Sequence, residues 1–329
     1  MPETFAVTDA VELAVVERSG FVESRHSGSA IVLGPDGTVV TALGPIDDPI
    51  LPRSTLKPLQ ALASVTAGAA LEGAHLAVAT ASHSGTDRHV SLVTDILTMA
   101  GLGEDDLQCP PAWPGDAAAR DEMTREVLGP QRVRMNCSGK HAAMLLACSV
   151  NGWDTATYLE SGHPLQVHTR EVIERLTGTK ITATAVDGCG APVHGMTLQA
   201  LARAIHRIGA SSERSPFALH RSAGALVRAV REHPWVIQGP GLPDSIVAER
   251  LGVFAKHGAE GVMTMIAPDG TTVALKMLDG SSRASAVTAL TLLVRAGALA
   301  GADVARTLSS LPLTVTGGGR DVGVIRPTV

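Results

Sequence analysis

Aromatic residues are scarce in this 329-residue chain, with four Phe, three Trp and a single Tyr together forming 2% of it. With 45% hydrophobic residues, the core must therefore be built from Ala, Val, Leu and Ile. The net charge is −5, and no Lys/Arg cluster interleaves with aromatics. That excludes the stacking platforms of single-strand binders and predicts no nucleic-acid partner. Long uninterrupted apolar runs are missing too. The most apolar long segment, 284–305, is broken by Arg295 and Asp303, so no membrane span is expected. The N-terminus has no basic region followed by an apolar stretch, and no signal peptide is predicted. The four cysteines, Cys109, Cys137, Cys148 and Cys189, lack disulfide-framework spacing. A reduced, cytoplasmic protein is the expectation. The size and aliphatic composition lead us to expect a homodimer.

Lysine is the most informative shortage. Of 27 basic residues only five are lysines: Lys57, Lys140, Lys180, Lys256 and Lys276. Arginine thus supplies most of the surface charge. A guanidinium keeps its proton, whereas an amine can give one up and act as a base. One of these lysines lies in Arg53-Ser54-Thr55-Leu56-Lys57-Pro58, a Ser-x-x-Lys sequence. On a helix, residues three apart share a face, which would put a hydroxyl nucleophile beside an amine base. The same spacing also suits an ordinary helix start. Further along come Ser82-His83-Ser84 and Lys256-His257-Gly258. The order Ser-x-x-Lys, Ser-x-Asn, Lys-Ser/Thr-Gly belongs to serine β-lactamases and penicillin-binding proteins, so the match here is partial.

The pattern of hydrophobic residues divides the chain. Strand-like runs at 29–33 and 38–43 surround Pro35-Asp36-Gly37, and runs at 261–267 and 271–277 surround Pro268-Asp269-Gly270. Both predict β-hairpins. Helical patterns fill the middle: one opened by Arg53 or Ser54, one capped by Asp87, one capped by Ser138, and others over 165–176, 198–208 and 217–230. A long amphipathic helix is predicted over 284–298. We therefore expect an α+β fold of one domain, 1–329, with an antiparallel sheet from both chain ends. The sheet part is expected at about 1–60 and 245–329, and a mostly helical inserted region at about 61–244.

Two other segments carry metal-type ligands: Asn136-Cys137-Ser138-Gly139-Lys140-His141 and Asp187-Gly188-Cys189-Gly190. Two thiolates suit zinc, yet neither segment has Cys-x-x-Cys or His-x-x-x-His spacing. A pair of small buried thiols explains the cysteines equally well. His83, His89 and His141 lie beside motifs, where structural hydrogen bonding is as good a reading as chemistry.

Taken together, residues 53–60, Ala81-Ser82-His83-Ser84 with Arg88-His89, 136–141, Asp187-Gly188-Cys189, and Lys256 with Gly258-Ala259 resemble the bacterial asparaginase family typified by the rhizobial inducible enzyme. The blocks occur in order across nearly the whole chain. The resemblance implies a fold like the serine β-lactamases and glutaminases, and hydrolysis of L-asparagine to L-aspartate and ammonia. It implies two Ser–Lys pairs, Ser54 with Lys57 and Ser82 with Lys256. It also implies a zinc site at Cys137, Lys140 and Cys189, and no organic cofactor. Two departures stand out: many relatives carry an acidic residue where this chain has Thr86, and an arginine in the segment that here reads 239–244. In the mechanism we expect, Ser54 is the nucleophile, Lys57 its base, and Ser82 with Lys256 a proton relay to the leaving ammonia; the same residues also serve with the roles of the two serines exchanged. Asp187 and Arg53 are the candidates for the substrate's ammonium and carboxylate, or else structural ion pairs. Other functions consistent with the sequence are another serine hydrolase, of β-lactamase or peptidase type, and a non-catalytic amino-acid-binding protein.

Overall fold

The computed structural model describes residues 3–329. Its strands are β1 (Val11–Arg18), β2 (Phe21–Leu33), β3 (Val39–Leu43), β4 (Pro49–Ile50), β5 (Ala183–Val186), β6 (Pro192–Thr197), β7 (Phe254–Gly258), β8 (Val262–Ile266), β9 (Thr272–Met277), β10 (Thr314–Gly317) and β11 (Arg320–Pro327). Its helices are α1 (Lys57–Thr66), α2 (Gly73–Thr80), α3 (Asp87–Met99), α4 (Ala117–Arg125), α5 (Ser138–Asn151), α6 (Pro164–Thr177), α7 (Leu198–Gly209), α8 (Ala218–Glu232), α9 (Pro243–Leu251), α10 (Ser285–Arg295) and α11 (Gly301–Leu308). This is the expected α+β architecture. Among the described residues no helix is long and apolar enough to cross a membrane. Two compact units divide the chain. One comprises the chain up to Thr55 with Gly195–Ala210 and Ile246–Val329, and the other Leu56–His194 with Ser211–Ser245.

The first unit is the sheet unit. Its strands run in the order β10-β11-β1-β2-β9-β8-β7, with β3 also paired to β2. The pairs are antiparallel, and strands from both chain ends share the one sheet. Both Pro-Asp-Gly segments form the hairpin turns. Asp36 accepts from the Thr38 backbone N–H at 3.0 Å, and Asp269 from that of Thr271 at 2.9 Å. A short carboxylate closing its own turn is why Asp recurs there. Met263 and Met265 of β8 face a core completed by Leu290 and Leu293 of α10. Ile266, of opposite parity, meets Gly209 of α7 on the other face. A sheet covered on both faces explains why β8 and β9 read as continuous apolar runs rather than alternating ones.

The second unit is built around α5. This helix is buried from Ser138 to Cys148, and Ala, Leu, Met and Cys surround its axis. A helix apolar on all sides belongs inside a bundle, and α1, α2, α3 and α6 pack around it. The crossing with α2 is close: a Cβ on Gly139 would lie 2.3 Å from the Val78 carbonyl oxygen. Only glycine permits this approach. After α2 the chain is extended, and its backbone is clamped from two sides. Ser82 N–H donates to Ile237 O at 3.0 Å, Ser84 N–H to Gln238 O at 2.6 Å, and His83 N–H to Asn136 O at 3.2 Å.

Helix boundaries differ in detail from the sequence expectations. Thr86 occupies the cap position of α3 without a side-chain cap bond, and Asp87 begins the helix with its carboxylate 2.8 Å from the Arg134 guanidinium. Cys137 occupies the cap position of α5, because the Ser138 hydroxyl donates instead to Val133 O at 2.7 Å. The helix expected over 284–298 ends at Arg295, ahead of Gly297 in a left-handed conformation.

Candidate active site

Lys57 opens α1 and is followed by proline, a residue preorganised for the first helical turn. Its side chain is 1% exposed. Nζ lies 2.7 Å from Ala81 O, 2.9 Å from Ser82 Oγ and 3.3 Å from Asn136 O. An ammonium has three hydrogens for these three oxygens. A neutral amine would donate to the two carbonyls and turn its lone pair to the Ser82 hydroxyl. The arrangement therefore serves either protonation state without rearranging, as a proton-transfer couple requires. The hydroxyl bonded to Lys57 is that of Ser82, whereas the sequence paired Lys57 with Ser54. The acceptor at Asn136, a backbone oxygen, left no mark in side-chain chemistry.

The histidines beside Ser82 have structural work. The Ser138 hydroxyl gives its hydrogen to Val133 O, so His83 must donate from Nε2 to Ser138 Oγ, 2.9 Å away. The other ring nitrogen, Nδ1, accepts from Gly85 N–H at 3.2 Å. Burial holds the His83 ring neutral, well below the ordinary histidine range. His89 stacks on His83 with ring centroids 5.0 Å apart, and burial lowers it to about 4. Thr86 Oγ1 sits 2.6 Å from His89 Nδ1, so the first departure from the family pattern forms part of this cluster. The second departure, 239–244, follows directly on Ile237 and Gln238, which bond the backbone of Ser82 and Ser84, and a Cβ on Gly239 would lie 2.4 Å from Ser84 Oγ.

In the sheet unit, Ser54 is half-buried on a three-ten turn, Arg53–Leu56. Arg53 has φ of 52°, a left-handed conformation that costs any residue with a Cβ energy and is concentrated at functional turns. Its guanidinium lies 3.7 Å from Glu260, which is too long for a hydrogen bond. Lys256 is fully buried on β7 and donates to the carbonyl of His257 at 2.7 Å. Ala255 faces the core beside α10, so alternation puts Lys256 and Gly258 on the opposite face. There the chain at 52–55 presses against β7. A Cβ on Gly258 would stand 2.9 Å from Pro52 O and 3.2 Å from the Thr55 methyl. The turn carrying Ser54 thus packs on the face of β7 that carries Lys256.

Cys137, Lys140 and Cys189 come together in the helical unit. Lys140, in the first turn of α5, donates to Cys189 Sγ at 3.1 Å. All three are at most 4% exposed. Hydrogen bonding with Cys189, aided by the charges of Lys57 and Lys140, overcomes burial and holds the Cys137 thiol well below its ordinary range. The same shared proton, together with burial, pushes Cys189 up against the pull of Lys140 and His141. Cys137 is therefore the more acidic of the two thiols, and its Sγ also lies 3.0 Å from Asn136 Oδ1. Burial opposes the charge on Lys140, but Cys189, Cys137 and Asp187 outweigh it and raise its pKa. Asp187 is half-buried in the loop leading from β5 to β6. Among the described residues no three His, Cys, Asp or Glu side chains gather where a metal ion could sit. Two buried sulfurs and an amine nevertheless form a soft donor set that suits zinc. Lys140 would have to release its proton to join that set.

Two solved structures with a similar course of the chain are distant relatives at most. A β-lactamase from Mycobacterium bovis is 16% identical, over 82% of this chain and 94% of that one, with a TM-score of 0.44. A Bacillus glutaminase is 15% identical, over 82% of this chain and 91% of that one, with a TM-score of 0.46. Neither bears on substrate or residue roles. No curated protein matches the sequence significantly. The sequence profile of the L-asparaginase II family, in contrast, matches residues 14–327, which includes every candidate site residue. The chain belongs to the L-asparaginase II family, and with it to the amidohydrolases that act on small molecules.

Proposed function

We propose that the protein hydrolyses the side-chain amide of L-asparagine, giving L-aspartate and ammonia through an acyl-enzyme. The observation that carries this reading is the buried contact of 2.9 Å between Lys57 Nζ and Ser82 Oγ. An amine held by two carbonyls against a hydroxyl is equipped to move protons in a serine-dependent amidohydrolase without a histidine.

Ser54 attacks the amide carbon. Its turn is strained at Arg53 and half-open to solvent, whereas Ser82 is only 6% exposed. First-turn N–H groups without helical acceptors suit the developing oxyanion. In neutral form Lys57 takes up the proton lost by the nucleophile, and Ser82 passes it to the departing ammonia. Lys256 remains charged and steadies the second serine. Water then cleaves the ester. Asp187 binds the substrate ammonium and Arg53 its carboxylate. Cys137, Lys140 and Cys189 would hold a zinc ion, which when bound would fix and polarise a substrate oxygen or a water.

The test is ammonia release from L-asparagine, L-glutamine and β-aspartyl peptides. The reading predicts the highest kcat/KM for L-asparagine. Absence of release from all three, with turnover of a coloured cephalosporin, would replace it by a β-lactamase function.

A further inference from the structure

Ser84 is 6% exposed, and its backbone is committed on both sides. Its N–H donates to Gln238 O at 2.6 Å, and its carbonyl accepts from Asp116 N–H at 3.0 Å. The hydroxyl is different. Oγ is buried and has no hydrogen-bond partner among the described residues. A buried hydroxyl left unpaired is costly to a folded chain. Backbone directions show where it points. The N–H groups of Ser82 and Ser84 reach Ile237 and Gln238, whereas that of His83, between them, reaches Asn136. N–H groups that alternate in this way mark a pleated segment, so the side chains of Ser82 and Ser84 leave on one face. On that face Ser82 Oγ meets Lys57 Nζ at 2.9 Å. The Ser84 hydroxyl follows roughly 7 Å further along the segment. Glycine is what covers it. A Cβ on Gly239 would stand 2.4 Å from Ser84 Oγ, and Gly239 has φ of 151°, a conformation open to glycine. Gly239 begins a turn in which Leu242 N–H donates to Gly239 O at 3.1 Å, with Pro240 and Gly241 exposed.

We propose that Ser84 is a further substrate-binding residue, whose hydroxyl donates to the α-carboxylate of the bound amino acid once the Gly239–Leu242 turn moves aside. With no Cβ, a Cα–H of Gly239 points at the Ser84 oxygen. The hydrogen is therefore the part left to spend, and it calls for an oxygen acceptor. L-asparagine spans the interval between the two serines. With its side-chain amide at the Ser82–Lys57 couple, its α-carboxylate comes within reach of Ser84. A structural serine spends its hydroxyl on the backbone, as Ser138 does on Val133 O at 2.7 Å. The assignment rests on the reading of Lys57 and Ser82 as the place of L-asparagine hydrolysis, and it deepens that reading by giving the substrate's head group a second partner.

The test compares Ser84→Ala with wild type in three measurements. KM for L-asparagine should rise roughly 10–100-fold, as loss of a hydrogen bond to a charged group does, with kcat within about 3-fold of wild type. In calorimetry L-aspartate should bind correspondingly more weakly. β-Alanine, which is L-aspartate without the α-carboxylate, should bind both proteins alike. Thermal melts should show no loss of stability, because the variant deletes a hydroxyl that has no partner. Three results would overturn the proposal: a wild-type KM in the variant, an equal loss of affinity for both ligands, or a melting temperature more than about 3 °C below wild type, failure to fold included. If β-alanine binds neither protein, KM and the melts decide. If wild type neither hydrolyses L-asparagine nor binds L-aspartate, the proposed function falls and takes the role of Ser84 with it, whereas the three results above remove Ser84 alone.

Discussion

Lys57 and Lys140 are both buried at helix starts in one unit, yet they are held by different atoms. Lys57 has three oxygens around it, two of them neutral carbonyls. Lys140 has a sulfur at 3.1 Å, with the charge of the cysteine pair and of Asp187 acting on it. Anions favour the proton on Lys140, whereas Lys57 meets two neutral carbonyls and a hydroxyl that can either accept from it or donate to it. The surroundings of Lys140 suit holding a cation, and those of Lys57 suit passing a proton. Cys137 feels both lysines, so the two regions are electrically coupled.

Substitutions can separate the regions. The largest effect is expected outside both. Ser54→Ala should lower kcat about 10⁴-fold or more, with no acyl-enzyme detectable by mass spectrometry, because a nucleophile has no substitute. Next, Lys57→Met should lower kcat roughly 10²–10⁴-fold while leaving zinc content unchanged, as removal of a general base does. Lys140→Met should do the reverse, abolishing stoichiometric zinc by elemental analysis and costing activity less than Lys57→Met. Equal loss of zinc in both variants would erase the distinction between the two lysines.

Smaller effects concern stability. A Cβ at Gly139 has no room against Val78 O, so Gly139→Ala should destabilise by about 3 kcal/mol in denaturant melts. Acid should do the same through His89, whose folded pKa of about 4 lies below its unfolded value. Between roughly pH 6.5 and 4 the unfolded chain binds the extra proton, so stability falls as pH drops through that window. His89 alone should cost about 2 kcal/mol between pH 6.5 and 5. Unfolding curves of His89→Asn should be flatter with pH, and an unchanged slope would assign the acid sensitivity elsewhere.

The hairpins were legible because Asp36 and Asp269 close their turns locally, and α6, α7 and α8 because their apolar positions repeat with helical period. The α+β class followed from where those patterns lie along the chain. Cap positions were not legible at Thr86 and Cys137, where neighbouring side chains had tertiary partners in Arg134 and Val133. In the site, residue types were visible but partners were not. Lysine scarcity pointed to Lys57, Lys140 and Lys256, whereas the contact of Lys57 with Ser82 depends on α2 crossing α5 at Gly139. The Asn136 carbonyl is backbone and has no side-chain signature. Tyr158 could have been noticed as the only tyrosine, but its bond to His141 spans 17 residues and has no periodic cue.

The account stands on Lys57 and Ser82 acting as one proton-transfer unit. Its most direct test is a double-mutant cycle on kcat for ammonia release from L-asparagine, using Lys57→Met, Ser82→Ala and the combined variant. Residues that work as a unit are not additive, so the combined variant should be scarcely slower than the worse single one. Losses that simply multiply would contradict the account.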